Sequence, residues 1–279
     1  MIDENRREQI RCSLPDDFSR TLFDGAIRVL ADADNPMRAH MFAATLRELF
    51  SHVLHSAAPD DEVRACGWFI QAADTDSVTR RQRAIYATQG GLSDRYVENL
   101  GVDVADLHRQ AIAAIADLNG ATHVRPGRVL TDAEQIALFV NTAVSALEGL
   151  LEAFKACRET IRELLENEVY DRMMAAFVER TFDEIDLVAS HGYEVDPFIQ
   201  IETIAVTGIT ASEVQITVVG EAPVTLYYGR GDDGAEIGHD FPFVMRFSAP
   251  TDSPAEVEYL DCEIDDSSWY NDEAEDDEG

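Results

Sequence analysis

Lysine is almost absent from the sequence: Lys155 is the only one, and all other basic residues besides histidine are arginine. This shortage excludes sites that need a lysine at a fixed spacing. No Gly-Lys-Ser/Thr of a P-loop follows the paired glycines Gly90 and Gly91, and no E-x-K of a restriction-type nuclease occurs. A metal-dependent nuclease that uses the acidic C-terminal half is therefore only a third hypothesis.

Cysteine is also scarce and scattered. The four cysteines form neither a C-x-x-C pair nor a zinc-finger quartet with histidines, which argues against a disulfide framework and a structural zinc site. They are Cys12, Cys66, Cys157 and Cys262. Catalytic signatures such as G-x-S-x-G and H-E-x-x-H are missing too. We therefore predict no metal and no cofactor.

Long apolar runs are missing as well. No stretch of about 18 uncharged apolar residues occurs, and the first ten residues are too charged for the apolar part of a signal peptide. These features predict a soluble, cytoplasmic protein without a membrane segment.

Acidic residues dominate the charge: 54 Asp and Glu oppose 22 Lys and Arg, for a formal net charge of −32. From residue 191 onward, 22 acidic residues face only two arginines, Arg230 and Arg246. Such a charge ordinarily disfavours nucleic acid. It is also typical of a salt-adapted proteome, and in that case local arginine clusters carry more information than the total.

The hydrophobic pattern changes its period near residue 190. Before it, apolar residues recur at helical spacing, and after it short β-branched and aromatic runs are separated by Gly, Pro and Asp. The pattern predicts an α+β protein with a helical domain, a long helix or helical hairpin, a small antiparallel β-sandwich or barrel, and an acidic disordered tail. These segments are 1–130, 131–190, 191–264 and 265–279.

Local signals set the expected helix boundaries. Asn35 before Pro36 predicts an N-cap, and Thr131 with Glu134 predicts a capping box. The segment after Thr131 has no proline up to residue 189, so we expect one long helix or two joined near Asn167. It is interpreted either as a coiled-coil-like dimer surface or as a pair of core helices.

The stretch LRELFSHVLHSA, residues 46–57, is the most informative. As a helix it places Arg47, Ser51, His52 and His55 on one arc and six apolar side chains on the opposite arc. The apolar set is Phe42, Leu46, Leu49, Phe50, Val53 and Leu54. A polar face is common on amphipathic helices, but arginine and histidine are atypical in so acidic a protein.

Arg47 and His52 form an R-x-x-x-x-H motif, which is the motif of HEPN ribonucleases, an all-helical fold. A histidine can act as general base or acid on RNA, with His55 as support or second proton carrier. An arginine can clamp the phosphate. Many such enzymes complete the site across a dimer. The HEPN family favours Asn, Asp or His after the arginine, whereas this chain has Glu48.

Two further basic clusters are candidates for substrate binding. Arg80, Arg81 and Arg83 lie close together in TRRQR, and His123 and Arg125 lie in the loop sequence THVRPGR. Arginines near an aromatic residue suit single-stranded nucleic acid. The alternatives are a salt-bridged helix face for the first cluster and a connecting loop with incidental charges for the second.

With these residues in view, the sequence resembles a bacterial and archaeal family of predicted pPIWI-associating nucleases. The resemblance covers about 35–270 and includes RELFSHVLHSAAPDDEVRACGWF, TRRQRAIYATQGGLSDRYV, THVR, FPFVMRF and DSSWY. It implies a nuclease that acts with a PIWI/Argonaute-like protein in defence against phage and plasmids. The positions it marks for testing are Arg47, His52, His55, Arg81, His123 and Arg125.

Two hypotheses of different classes follow. The first is a metal-independent endoribonuclease, dimeric, that binds RNA rather than DNA. The second is a non-catalytic adaptor that uses the long helix for oligomerisation and the acidic β domain for a basic partner.

Overall fold

The computed structural model describes residues 2–73, 75–101, 104–125, 129–229 and 234–271. The chain divides into two compact units, Met1–Arg158 and Glu159–Gly279. The first unit is helical. Its helices are α1 Glu4–Ser13, α2 Asp17–Ala31, α3 Arg38–Ala57, α4 Asp60–Ala65, α5 Arg80–Gln89, α6 Asp94–Asn99, α7 Val104–Thr122 and the first part of α8 Ala133–Glu179.

Helix α3 runs through the core of the first unit and packs against α2, α5 and α7. The apolar arc predicted for this helix is confirmed, since all six of its side chains are buried. They pack with Phe23 of α2, Ile115 of α7 and Leu147 of α8. Burial of this arc removes apolar surface from water and turns the opposite arc, with Arg47 and His55, outward.

The helix starts differ slightly from the prediction. Helix α3 begins at Arg38, and the Asn35 side chain accepts a hydrogen bond from the Met37 backbone at 2.9 Å, so Asn35 shapes the turn before the helix. Helix α8 is capped by Asp132, whose carboxylate accepts from the backbone of Gln135 at 2.8 Å. Asp and Thr are both good N-cap residues. The predicted N-cap, Thr131, is therefore one residue before the observed one.

Helix α8 is continuous over 47 residues, which confirms the single long helix. Most of its apolar residues are buried, whereas Leu138, Leu164 and Val178 are exposed. By length and composition, one helical stretch within Ala133–Val188 is apolar enough to cross a membrane, and half of it is buried inside the protein. A core helix of a soluble protein meets the same criteria, so this is weak evidence for a membrane.

The second unit contains the rest of α8 and one antiparallel sheet. The remaining elements are α9 Asp183–Val188, β1 Tyr193–Val195, β2 Gln200–Ile209, β3 Glu213–Tyr228, β4 Ala235–Pro250, β5 Glu258–Ile264 and α10 Ser267–Asn271. The sheet order is β1-β3-β4-β5, and β2 pairs with β3 beside β1. The α+β class is therefore confirmed.

The sheet differs in detail from the expected sandwich or barrel. Strands β3 and β4 are 16 residues each, so β1 and β2 both fit along one edge of β3 and the described strands form a single sheet. Pro223 lies inside β3, so two of the short runs expected from the sequence form one strand here. Helix α10 occupies part of the segment predicted as a tail, and 272–279 lie outside the described residues.

One face of the sheet is the core of the second unit. Burial alternates along β3, and on β4 the buried side chains include Phe241, Phe243 and Phe247. Phe177 of α8 packs edge-on against Phe243, with ring centroids 5.2 Å apart. Gly220 is required in β3, because a Cβ atom there would lie 2.3 Å from the Gln200 carbonyl oxygen of β2.

Candidate functional site

His52, on the polar arc of α3, contacts a carboxylate at the start of α2. Its Nε2 atom lies 2.7 Å from Oδ2 of Asp16, the N-cap residue of α2. A carboxylate only accepts hydrogen bonds, so Nε2 of His52 carries the proton. The Nδ1 atom has no hydrogen-bond partner within the described parts of the chain. The ring is partly exposed, at 29% of its side chain, which leaves it accessible from solvent.

Asp16 is held as an anion. The backbone N–H of Ser19 donates to Oδ1 at 2.7 Å, and His52 donates to Oδ2. The Ser19 hydrogen bond, followed by the contact with His52, lowers the pKa of Asp16 to about 2. The exposed ring of Phe18 lies edge-on to the His52 ring, with centroids 4.9 Å apart.

His55 lies on the same arc, one turn after Ser51. Its Nδ1 atom is 2.7 Å from the Ser51 carbonyl oxygen, which can only accept, so Nδ1 of His55 carries a proton. No other part of the described chain bonds its Nε2 atom. His52 and His55 therefore present opposite ring nitrogens, Nδ1 and Nε2, for further contacts.

Arg47 lies on the other flank of α3. Its guanidinium is paired with the carboxylate of Glu48 and donates to Oγ1 of Thr122, the last residue of α7, at 3.5 Å. His52 instead contacts Asp16, next to α2. The R-x-x-x-x-H motif thus has its arginine beside α7 and its histidine beside α2, about 7.5 Å apart along the helix axis.

The three arginines at the start of α5 have different environments. Arg80 and Arg81 are exposed, whereas Arg83 is buried. The Arg83 guanidinium donates to the Ala58 carbonyl oxygen at 2.6 Å and to Asp60 at 2.5 Å. Arg83 therefore ties α5 to the chain after α3, and only Arg80 and Arg81 are accessible to a ligand.

His123 and Arg125 follow the end of α7 and are exposed. Because Thr122 contacts Arg47, these two residues continue the chain from the Arg47 side of α3. Arg81 of α5 lies near the other end of α7, where its positive charge helps to lower the pKa of His108. His108 is about 21 Å along the helix axis from Thr122. The predicted substrate residues therefore lie in two groups at opposite ends of α7.

His108 is a buried histidine that the sequence analysis missed. It is 6% exposed, and its Nε2 atom lies 2.7 Å from Oγ1 of Thr88 on α5. Burial, with a smaller contribution from the positive charge of Arg81, lowers the pKa of His108 to about 4. A lone histidine in a helical repeat carries no sequence signal for this environment.

His40 is a second buried histidine with a structural role. Its Nδ1 atom lies 2.7 Å from the Ala121 carbonyl oxygen, and Nε2 accepts from the Leu130 backbone at 3.1 Å. His40 thereby bonds the chain on both sides of the loop between α7 and α8. Among the described residues, no group of three His, Cys, Asp or Glu side chains is arranged to hold a metal ion.

The fold and these contacts define an α+β protein whose helical unit exposes histidines and arginines around α3. Two family models match the chain, one over residues 11–147 and the other over 154–270, and both are described as predicted pPIWI-associating nuclease. Together they cover nearly the whole chain, and the chain belongs to this family. The match supports a nuclease. No curated protein and no solved structure matches the chain.

Proposed function

We propose that the protein is a cytoplasmic, metal-independent endoribonuclease of the HEPN type, which acts with a PIWI/Argonaute-like protein in prokaryotic defence against phage and plasmids. The observation that carries this proposal is the hydrogen bonding of the His52 ring. Its Nε2–H is bound to Asp16, and its Nδ1 is without a partner among the described residues. An imidazole that donates through one nitrogen and leaves the other unpaired has the arrangement that general base catalysis uses.

The proposed roles follow from which nitrogen each histidine leaves unpaired. His52 takes the proton from the RNA 2′-hydroxyl through Nδ1, and His55, in its doubly protonated form, gives the Nε2 proton to the leaving 5′-oxygen. Arg47 stabilises the negative charge that develops on the phosphate. This chemistry forms a cyclic 2′,3′-phosphate and uses no bound ion.

Arg80, Arg81, His123 and Arg125 are proposed to bind the RNA on either side of this site. All four are exposed. Their positions at the two ends of α7 suit a strand that extends along the helical unit. Arg83 is left out of this set, because its guanidinium is buried against Ala58 and Asp60.

The experiment is cleavage of a single-stranded RNA oligonucleotide by the purified protein in EDTA. We expect products with a cyclic 2′,3′-phosphate, and a rate loss of roughly 100-fold or more for His52→Ala and for Arg47→Ala. His191→Ala is the matched control, since His191 is exposed in the second unit. Unchanged cleavage after His52→Ala would contradict the proposed role of His52.

A homodimer is proposed because Arg47 and His52 face different flanks of α3. Two copies that meet across this helix would place the arginine of one beside the histidine of the other. The exposed apolar residues of α8, Leu138 and Leu164, offer further contact area for a second copy. Light scattering of the full chain measures the mass of the assembly and so tests whether it is a dimer.

A second candidate function is that of a non-catalytic adaptor. It is favoured by the charge of the chain after residue 190, where 22 acidic residues face two arginines. One of these, Arg246, is itself paired with Asp261 and Glu263. A protein with this function would bind a basic partner and would cleave no RNA in the assay above.

A further inference from the structure

Contacts within the first turn of α2 hold the Asp16 carboxylate in place, in addition to its contact with His52. Asp16 is the N-cap of α2, and its Oδ1 accepts from the Ser19 backbone at 2.7 Å. The Ser19 hydroxyl lies 3.2 Å from the Asp16 backbone N–H and completes a capping box. Ser19 is fully buried, so the first turn of α2 sets the position of the carboxylate.

The His52 ring is confined by three neighbours. Oδ2 of Asp16 accepts from Nε2 at 2.7 Å, and Oγ of Ser56 lies 3.5 Å from the same nitrogen. The Phe18 ring stands across the imidazole at an interplanar angle of 78°. This arrangement fixes the ring orientation and keeps the proton on Nε2.

We propose that Asp16 is a positioning residue for His52, which holds the imidazole in the Nε2–H tautomer and presents Nδ1 to the 2′-hydroxyl of RNA. This inference rests on the proposed ribonuclease function. In the reaction the 2′-oxygen bonds to phosphorus as its proton passes to Nδ1 of His52. The bond from phosphorus to the 5′-oxygen breaks, and the 5′-oxygen receives the Nε2 proton of His55, which must enter the reaction with protons on both ring nitrogens and leaves it with the Nδ1 proton that Ser51 holds.

The decisive variant is Asp16→Asn. Asparagine caps a helix as well as aspartate does, so α2 keeps its first turn. Its side-chain amide can donate as well as accept, so it no longer requires a proton on Nε2. Nitrogen NMR of the histidine rings is expected to show His52 shifting from the Nε2–H tautomer to a mixture of tautomers.

The same variant is tested in kinetics. We expect kcat to fall roughly tenfold or more, because the wrong tautomer cannot take the proton. KM should stay within about twofold of the wild-type value, since the mutation leaves Arg47 and the arginines of α5 in place. Asp16→Ser, which keeps a cap without a carboxylate, should behave in the same way.

Asp17→Asn is the matched control, because Asp17 is the neighbouring, exposed residue and pairs with Arg20. It should change neither the His52 tautomer nor kcat. An unchanged His52 tautomer in Asp16→Asn would overturn the positioning role. If the wild-type protein cleaves no RNA, the proposed function fails, and the NMR comparison still decides whether Asp16 positions His52.

Discussion

The guanidinium of Arg47 is paired with the carboxylate of the adjacent residue Glu48, and its Nε donates to Glu48 Oε1 at 3.1 Å. The two side chains are 32% and 57% exposed, so the pair is close to solvent. Exposed pairs of this kind contribute little to stability. Their more important effect concerns ligands, because the carboxylate competes with any phosphate for the same guanidinium.

Replacing Glu48 by glutamine should therefore strengthen RNA binding. The variant Glu48→Gln removes a negative charge next to Arg47, and we expect Kd for a short RNA to fall roughly threefold to tenfold at low salt. Fluorescence anisotropy measures the change. Glu98→Gln, an exposed residue on α6, removes the same charge elsewhere and should lower Kd less. Equal effects of both variants would mean that Glu48 acts only through the total charge.

Mixing two inactive variants should restore activity if the site is shared by two copies. Arg47→Ala lacks the phosphate clamp, and His52→Ala lacks the general base. In a mixed dimer one of the two composite sites contains neither mutation. After the two variants are mixed and allowed to exchange subunits, we expect up to roughly a quarter of the wild-type rate from random pairing of equal amounts. A mixture as inactive as each variant alone would place both residues in one copy.

Arg83 should be essential for stability, and Arg80 should not. In Arg83→Ala the Ala58 carbonyl oxygen, in a fully buried residue, loses its donor, and Asp60 loses its ion pair. We expect a loss of about 3 kcal/mol in the free energy of unfolding, measured by urea denaturation. Arg80→Ala is the matched control, and it should change the free energy of unfolding by less than about 0.5 kcal/mol. Similar stabilities for the two variants would show that the buried contacts of Arg83 are dispensable.

His108 should make the protein sensitive to acid. Its pKa is about 4 in the folded protein against 6.5 ordinarily, because burial disfavours the charged ring. As pH falls from about 6.5 to 4, the unfolded chain binds a proton at His108 that the folded protein does not bind, so stability falls across that window. The loss is on the order of 3 kcal/mol.

The variant His108→Gln tests this assignment. The difference in unfolding free energy between wild type and variant should shrink as pH falls from 7 to 4, as urea titrations at several pH values would show. The exposed His191→Gln serves as control and should leave the pH dependence as it is in the wild type. A wild-type slope that persists in His108→Gln would assign the acid sensitivity to other groups.

Helical periodicity was sufficient to predict the buried side of α3 and the outward side that carries Arg47, His52 and His55. It also predicted a long helical segment after Thr131, as one helix or as two joined near Asn167, because no proline interrupts the apolar repeat, and the structure has one continuous helix there. The prediction of helix N-caps was less accurate. At the start of α8 two good capping residues are adjacent, Thr131 and Asp132, and propensity alone does not choose between them.

For the sheet of the second unit, the sequence did not predict how long the strands are. The sequence predicted short strands separated by Gly, Pro and Asp, whereas β3 runs through Pro223 and pairs with β4 over its whole length. At that point Asp196 donates its backbone N–H to the Pro223 carbonyl oxygen. The strand continues because neighbouring strands supply partners on both edges, which a local pattern does not reveal.

The sequence by itself determined the α+β class, the helical period around R-x-x-x-x-H, and the family to which the chain belongs. Only the tertiary structure decided the partners of each functional group. Asp16 and His52 are 36 positions apart, and His108 and Thr88 are 20 positions apart. Contacts of this kind depend on how helices pack, and hydrogen bonding and burial at those contacts fix protonation, accessibility and charge.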